Sequence, residues 1–350
     1  MKKSFFAIST LAALLLNVFG FAAGDARTAQ VKKAEVARLV SHLPSSDGVV
    51  VFDSKRFVND ALPKILSANQ PMLNEIMAKI AEMETTTGID LRKFDQVAVG
   101  VAIKTISAKE TDYEPVALAN GDINAGALLA VAKLASKGTY REEKIGNKTV
   151  YVFSAKDVLK KKTTKPSNSK ITDLMDHALK DLTKEVAVAA LDRNTIAIGS
   201  LARVRQTIAA DTHISSDITG LLSVKETSVL SFAFKTPGGL SKMLSLDNDE
   251  LGANLDAIDY LSGSMDVATI GLSVSVVART KKAEQAQGLK DTLDGLKIVG
   301  GAVFGGSKRP DQQIYARLIK NAKIENRGND VSLELLVPQA DIDGMIGGIK

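Results

Sequence analysis

Gly300-Gly301-Ala302-Val303-Phe304-Gly305-Gly306-Ser307-Lys308 is the string that comes nearest to a known chemical device. From Gly301 its spacing imitates the phosphate loop GxxxxGK[ST], where backbone N–H groups between a strand and a helix converge on phosphate oxygens. Ser307 stands where the lysine is required, residues 283–299 have helical periodicity, and Pro310 follows closely. The string is therefore expected to be a flexible connection that lets two helices fold back, with an apolar, glycine-rich tip available to a partner or membrane.

The other reactive residue types form no site. His42, His177 and His213 are isolated, without an HExxH or a close pair, so no local metal site is expected. Leu261-Ser262-Gly263-Ser264-Met265 only superficially approaches the GxSxG of serine hydrolases, and no supported SxxK occurs. Asp247, Asp249 and Glu250 lack the glycine and terminal glutamate of a calcium loop and fit helix capping better. No catalytic, cofactor-binding or metal-binding residue is assigned, no cofactor is expected, and a non-enzymatic role is favoured.

One charge cluster remains. Lys156, Lys160, Lys161, Lys162, Lys165 and Lys170 face a single acid, Asp157, over 15 residues. No arginine forks or aromatic rings accompany them, so they suit a diffuse anionic surface better than base reading. A solvated loop is the plain reading, and docking on phospholipid headgroups or wall polymer is the functional one. The chain's formal charge of +5 includes Lys2 and Lys3 of a leader without acids, which leaves too little excess to argue for nucleic acid.

The elements around these residues follow from punctuation and periodicity. Residues 1–24 read as a signal peptide, with Lys2 and Lys3, an apolar run to Phe21, and small residues for cleavage. Without cysteine there is no disulfide framework, thiol chemistry or lipid-anchoring thiol. Beyond residue 24 no apolar run is long enough to span a bilayer. The chain is expected to be exported, soluble, and periplasmic or extracellular. The absence of tryptophan and an aromatic content of 5 % leave few rings for stacking on sugars or single-stranded nucleic acid.

Val49–Phe52 reads as a strand and is followed by helical spacing from Phe57 to Met83, a strand at 95–103, a helix at 125–135 and a hairpin around Gly146-Asn147. About 180 residues later the order recurs, from Val229–Phe234 through helical spacing over Leu251, Leu255, Ile258 and Leu261 to Gly328-Asn329 and Val331–Val337. The fold class is therefore α+β, with two related units, each an antiparallel-rich sheet with helices packed on one face. The expected divisions are a lead-in helix at 25–46, a first unit at 47–210 with an extra hairpin at 186–198, a linker at 211–219, and a shorter second unit at 220–350.

The DGVVVFD strand (Asp47–Asp53) and the TGIDLRKFDQVAVGV segment (Thr87–Val101) resemble those of uncharacterised exported bacterial proteins. The resemblance implies the fold and brings no catalytic roles. The favoured function is a non-catalytic binding or scaffolding protein of the bacterial envelope, its partner an unknown envelope protein or an anionic surface. A periplasmic carrier of an apolar or lipid-like ligand and a hydrolase with a dispersed site are the alternatives. A closed apolar cavity would favour the carrier, and convergent acid, base and hydroxyl groups in one cleft would favour the hydrolase.

Overall fold

The computed structural model describes residues 26–107, 110–154, 185–238, 241, 249–268 and 270–347. Helix α1 (Ala26–Ser41) leads into strand β1 (Gly48–Asp53). The Asp53 carboxylate caps the short helix α2 (Ser54–Arg56) by accepting from Arg56 N, and a π-helical turn (Phe57–Ala61) continues into α3 (Leu62–Ile65). Helix α4 (Gln70–Thr87) carries Pro71 in its first turn, where its missing N–H costs nothing, and Gly88 follows it at φ +68°. Next come β2 (Phe94–Ser107), β3 (Glu110–Gly121), α5 (Ala125–Ala135), β4 (Tyr140–Ile145) and β5 (Lys148–Ser154).

After residue 184 the chain makes β6 (Glu185–Ala190), β7 (Thr195–Gly199), α6 (Leu201–Ala209), α7 (Ser216–Thr219) and β8 (Ser228–Lys235). It ends with α8 (Asp249–Asp256), β9 (Ile258–Ala268), β10 (Gly271–Thr280), α9 (Ala283–Gly305), α10 (Pro310–Asn321), β11 (Lys323–Arg327), β12 (Asp330–Pro338) and α11 (Gln339–Ile346).

Two units result. The first takes Arg38–Ser46 with Lys79–Ile214, and the second takes Asp47–Ala78 with Ser215–Lys350 and the helical residues 26–37. In the first, the strands lie in the order β2-β3-β7-β6-β5-β4, and each printed pairing is antiparallel. Its core includes Phe94, Ala119, Ile123, Ala125 and Ile196. Buried Arg203 on α6 donates to Ser45 O at 2.8 Å and Ser46 Oγ at 2.6 Å, tying α6 to the turn after α1. In the second unit the order is β11-β12-β10-β9-β8-β1, again antiparallel.

The α+β class with antiparallel sheets is as expected, but several elements differ. β1 belongs with the second unit, because Val49–Phe52 pair with Ala233–Leu230 on β8. β3 had no counterpart in the expected order. Its Pro115 lies one residue before the pairing with β7 begins at Val116, so the missing N–H leaves that ladder intact. Ile258 and Leu261, expected in a helix, lie in β9, where Leu261, Gly263, Met265 and Val267 alternate with Ser262, Ser264 and Asp266. That period of two outweighs the single spacing of three. Gly300–Gly305 is no flexible connection but the last turns of the 23-residue helix α9, and only residues 306–309 join it to α10. Gly146-Asn147 and Gly328-Asn329 do turn two hairpins, β4–β5 and β11–β12. The inner neighbour of β5 is β6, whereas that of β12 is β10, so the strand orders are not identical.

Candidate functional site

The second unit's sheet has two chemically different faces. Directly opposed residues share a face, so the pairings define rows across it. One face reads Phe232, Gly263, Val276 and Leu333 in one row and Leu230, Met265, Val274 and Leu335 in the next. α9 covers part of this face through Ala286 and Leu289, which cluster with Ala278 and Val331. The opposite face reads Ser231, Ser264, Ser275 and Glu334, then Ser228, Asp266, Ser273 and Leu336, then Ala233, Ser262, Val277 and Ser332. It is a ladder made mainly of hydroxyls, with the Asp266 carboxylate on β9 and that of Glu334 at its β12 end.

Under β8 and β9 this polar face is buried: Ser228, Ser231, Ser262, Ser264 and Asp266 are each at most 5 % exposed. Burial of hydroxyls and a charge is costly unless they are paired, and here they are. Ser228 Oγ donates to Asp266 Oδ1 at 2.7 Å and accepts from Lys225 N at 2.9 Å. Lys225 Nζ donates to Asp266 Oδ2 at 2.7 Å, and Ser231 Oγ donates to Ser223 O at 2.7 Å. From α1, Lys32 Nζ donates to Glu226 O at 2.9 Å and Ser228 O at 2.6 Å and pairs with Asp53 Oδ2 at 2.9 Å. Burial pushes the Lys32 ammonium below the usual lysine pKa, against the opposing pull of Asp53. Acid, base and hydroxyl do converge at Ser228, Asp266 and Lys225. Ser228 and Asp266 nevertheless lie under cover rather than in a cleft, so a substrate has no path to the hydroxyl in this form.

The second feature is α9 itself. Ala286, Leu289 and Leu293 face the sheet, but the helix continues for three more turns beyond them. There Leu296, Ile298, Val299 and Val303 are all exposed, Ile298 by 73 %. No neighbouring atom lies within 4 Å of the position a Cβ would take on Gly301 or Gly305. The Phe304 and Tyr315 rings, 6.0 Å apart, hold this end of α9 against α10. Between the helices runs a groove of about 650 Å³, bordered by Lys297, Ile298, Gly301, Ala316, Arg317 and Lys320 among others. Arg317 is paired with Asp341, and Lys297 donates to the Ala322 carbonyl at the end of α10.

The lysines singled out in the sequence, Lys156, Lys160, Lys161, Lys162, Lys165 and Lys170, lie outside the described residues, as do residues 1–24 and His177. His42 Nδ1 contacts Arg38 O at 2.8 Å and His213 Nδ1 contacts Ser41 O at 3.0 Å, each donating in the tautomer with the proton there. Among the described residues, no group of three or more His, Cys, Asp or Glu is placed to hold a metal ion. The hydroxyl ladder was missed, although the alternation SxSxD at 262–266 beside SxS at 273–275 could have revealed it.

No protein-family model matches this chain, and no curated protein sequence matches it. It is similar to solved structures of TP0453. In crystal form III the identity is 11 %, the match covers 89 % of this chain and 98 % of that one, and the TM-score is 0.42. In crystal form I the identity is 11 %, the coverages are 88 % and 96 %, and the TM-score is 0.40. Among the described residues, no helix is long and apolar enough to cross a membrane.

Proposed function

We propose that this chain is an exported, non-catalytic binding protein of the bacterial envelope that docks on anionic lipid surfaces through the distal half of α9. The carrying observation is the exposed aliphatic stripe Leu296, Ile298, Val299 and Val303 on a helix end that the sheet does not cover. From Gly295 to Arg309 the chain holds Lys297, Lys308 and Arg309 and no acid. Aliphatic side chains flanked by cations suit a lipid interface. The same charges disfavour pairing of this stripe with a second copy of itself. The lysines at 156–170 add long-range attraction to this reading, as point charges. The signal peptide at residues 1–24 belongs to the same proposal. The groove beside α9 is bordered by charged side chains as well as apolar ones, which weakens the carrier alternative.

Co-sedimentation with phosphatidylglycerol-containing vesicles, against pure phosphatidylcholine, tests the proposal. Half-burying three aliphatic side chains is worth on the order of 3 kcal/mol. The variant Ile298→Ser/Val299→Ser/Val303→Ser should therefore lose about a hundredfold in partition. Lys160, Lys161, Lys162 and Lys165 changed together to glutamine should weaken binding several-fold at about 0.1 M salt. Equal sedimentation of wild type and the triple variant would overturn the docking role of α9.

A further inference from the structure

We propose that residues 220–226 form a cover that opens off the hydroxyl ladder while the rest of the second unit stays folded. The segment is fixed at both ends. Ile218 on α7 is 3 % exposed, Gly220 N donates to Ser216 O at 2.8 Å, and Val267 N donates to Thr227 O at 3.0 Å. Between those anchors its ties to the sheet and to α1 are polar: Ser223 O to Ser231 Oγ, Lys225 Nζ to Asp266, and Glu226 O to Lys32 Nζ.

The surface beneath decides how such a segment behaves. A loop closed over leucines and valines loses hydrophobic burial when it lifts. This one is hydrogen-bonded to Ser228, Ser231 and Asp266, buried polar groups that exchange protein hydrogen bonds for water at small net cost. Leu221, Leu222 and Val224 are partly buried, so opening gives up their apolar contact at a cost on the order of 3 kcal/mol, still below that of unfolding the unit. Closure also leaves Glu226 Oε2 buried without a hydrogen-bond partner among the described residues, a penalty that opening relieves. Lys225 keeps 47 % of its side chain exposed while gripping an aspartate that is 5 % exposed, and so acts as the clasp. Local openings of this kind lie well below the free energy of global unfolding. Lifting the cover would join the buried rows on β8 and β9 to the half-buried Ser273 and Ser275 on β10, forming one continuous polar face.

The chain has no cysteine, so single thiols report cleanly. Ser264→Cys places a thiol, at a residue 1 % exposed, beside the Asp266 carboxylate that Lys225 clasps. Met265→Cys, from a residue 2 % exposed, places one on the opposite face of the same strand. Native-state labelling with a small maleimide should modify Ser264→Cys at least about tenfold faster than Met265→Cys. Equal, slow labelling of both thiols at the rate of global unfolding would overturn the proposal. If Ser264→Cys does not fold, Ser231→Cys on β8 takes its place with the same expected contrast.

Discussion

Gly121 closes β3 where the backbone has no room for a side chain. An added Cβ would stand 2.1 Å from Lys93 O and 2.7 Å from Asp95 N, both backbone atoms that cannot swing aside. Gly121→Ala should destabilise the first unit by about 3 kcal/mol, at the upper end of overpacking costs. Urea denaturation would check this, and a loss below about 0.5 kcal/mol would contradict the close approach. Lys32 supplies a prediction in pH. Its folded pKa lies below 10.5 because of burial, so between that lowered value and 10.5 the unfolded chain binds more protons than the folded one. Stability attributable to Lys32 therefore rises with pH through that window. Lys32→Met should remove that rise, seen as the difference between the two proteins' urea midpoints from pH 8 to 11. At neutral pH it should cost about 3 kcal/mol, because Asp53 loses its partner in a half-buried setting.

At the scale of the element, α9 does two jobs with its two halves. Leu289 is 2 % exposed against the sheet, so Leu289→Ala should cost about 3 kcal/mol. Val303, 65 % exposed, has almost no burial to lose, and Val303→Ala should change stability by less than about 0.5 kcal/mol. Thermal melts of both variants check the contrast. Comparable losses would mean that the distal half is packed, which would remove it as a docking surface. The outer strands obey a different demand. β11 and β4 carry Lys323, Glu325 and Arg327, and Arg141, Glu142 and Lys144, charges that discourage edge-to-edge pairing.

For the whole molecule, function depends on where the chain is delivered. The export proposal predicts that Leu14→Asp, a charge placed in the apolar part of the leader, leaves the unprocessed chain in the cytoplasm. Cell fractionation with mass measurement of the N-terminus checks it, and normal processing of the variant would refute the leader. The anionic-lipid proposal is consistent with that destination, since its electrostatic part works only within about a Debye length of a charged surface.

Much of the local structure was legible in the sequence because its causes are local. Gly146-Asn147 and Gly328-Asn329 announce tight turns, Pro71 and Gly88 bracket α4, and the alternation of Val150, Val152 and Thr149, Tyr151 marks a strand. The α+β class follows from grouped helices between such strands. Other features were decided by partners distant along the chain. β1 joins β8, 180 residues later, because Val49 and Val51 find their register opposite Ala233 and Ser231, and no local pattern encodes that choice. The burial of Ser228, Ser264 and Asp266 depends on Lys225 and on Lys32, far away on α1; in sequence those serines look like the solvent side of an ordinary strand. The glycines of α9 read locally as a break, yet the helix runs through them, since Gly300 lets Ile319 of α10 approach to 3.1 Å of where a Cβ would stand. Residue type and spacing determined the elements. Long-range packing decided which faces are covered, and that choice left one apolar stripe exposed and one polar ladder buried.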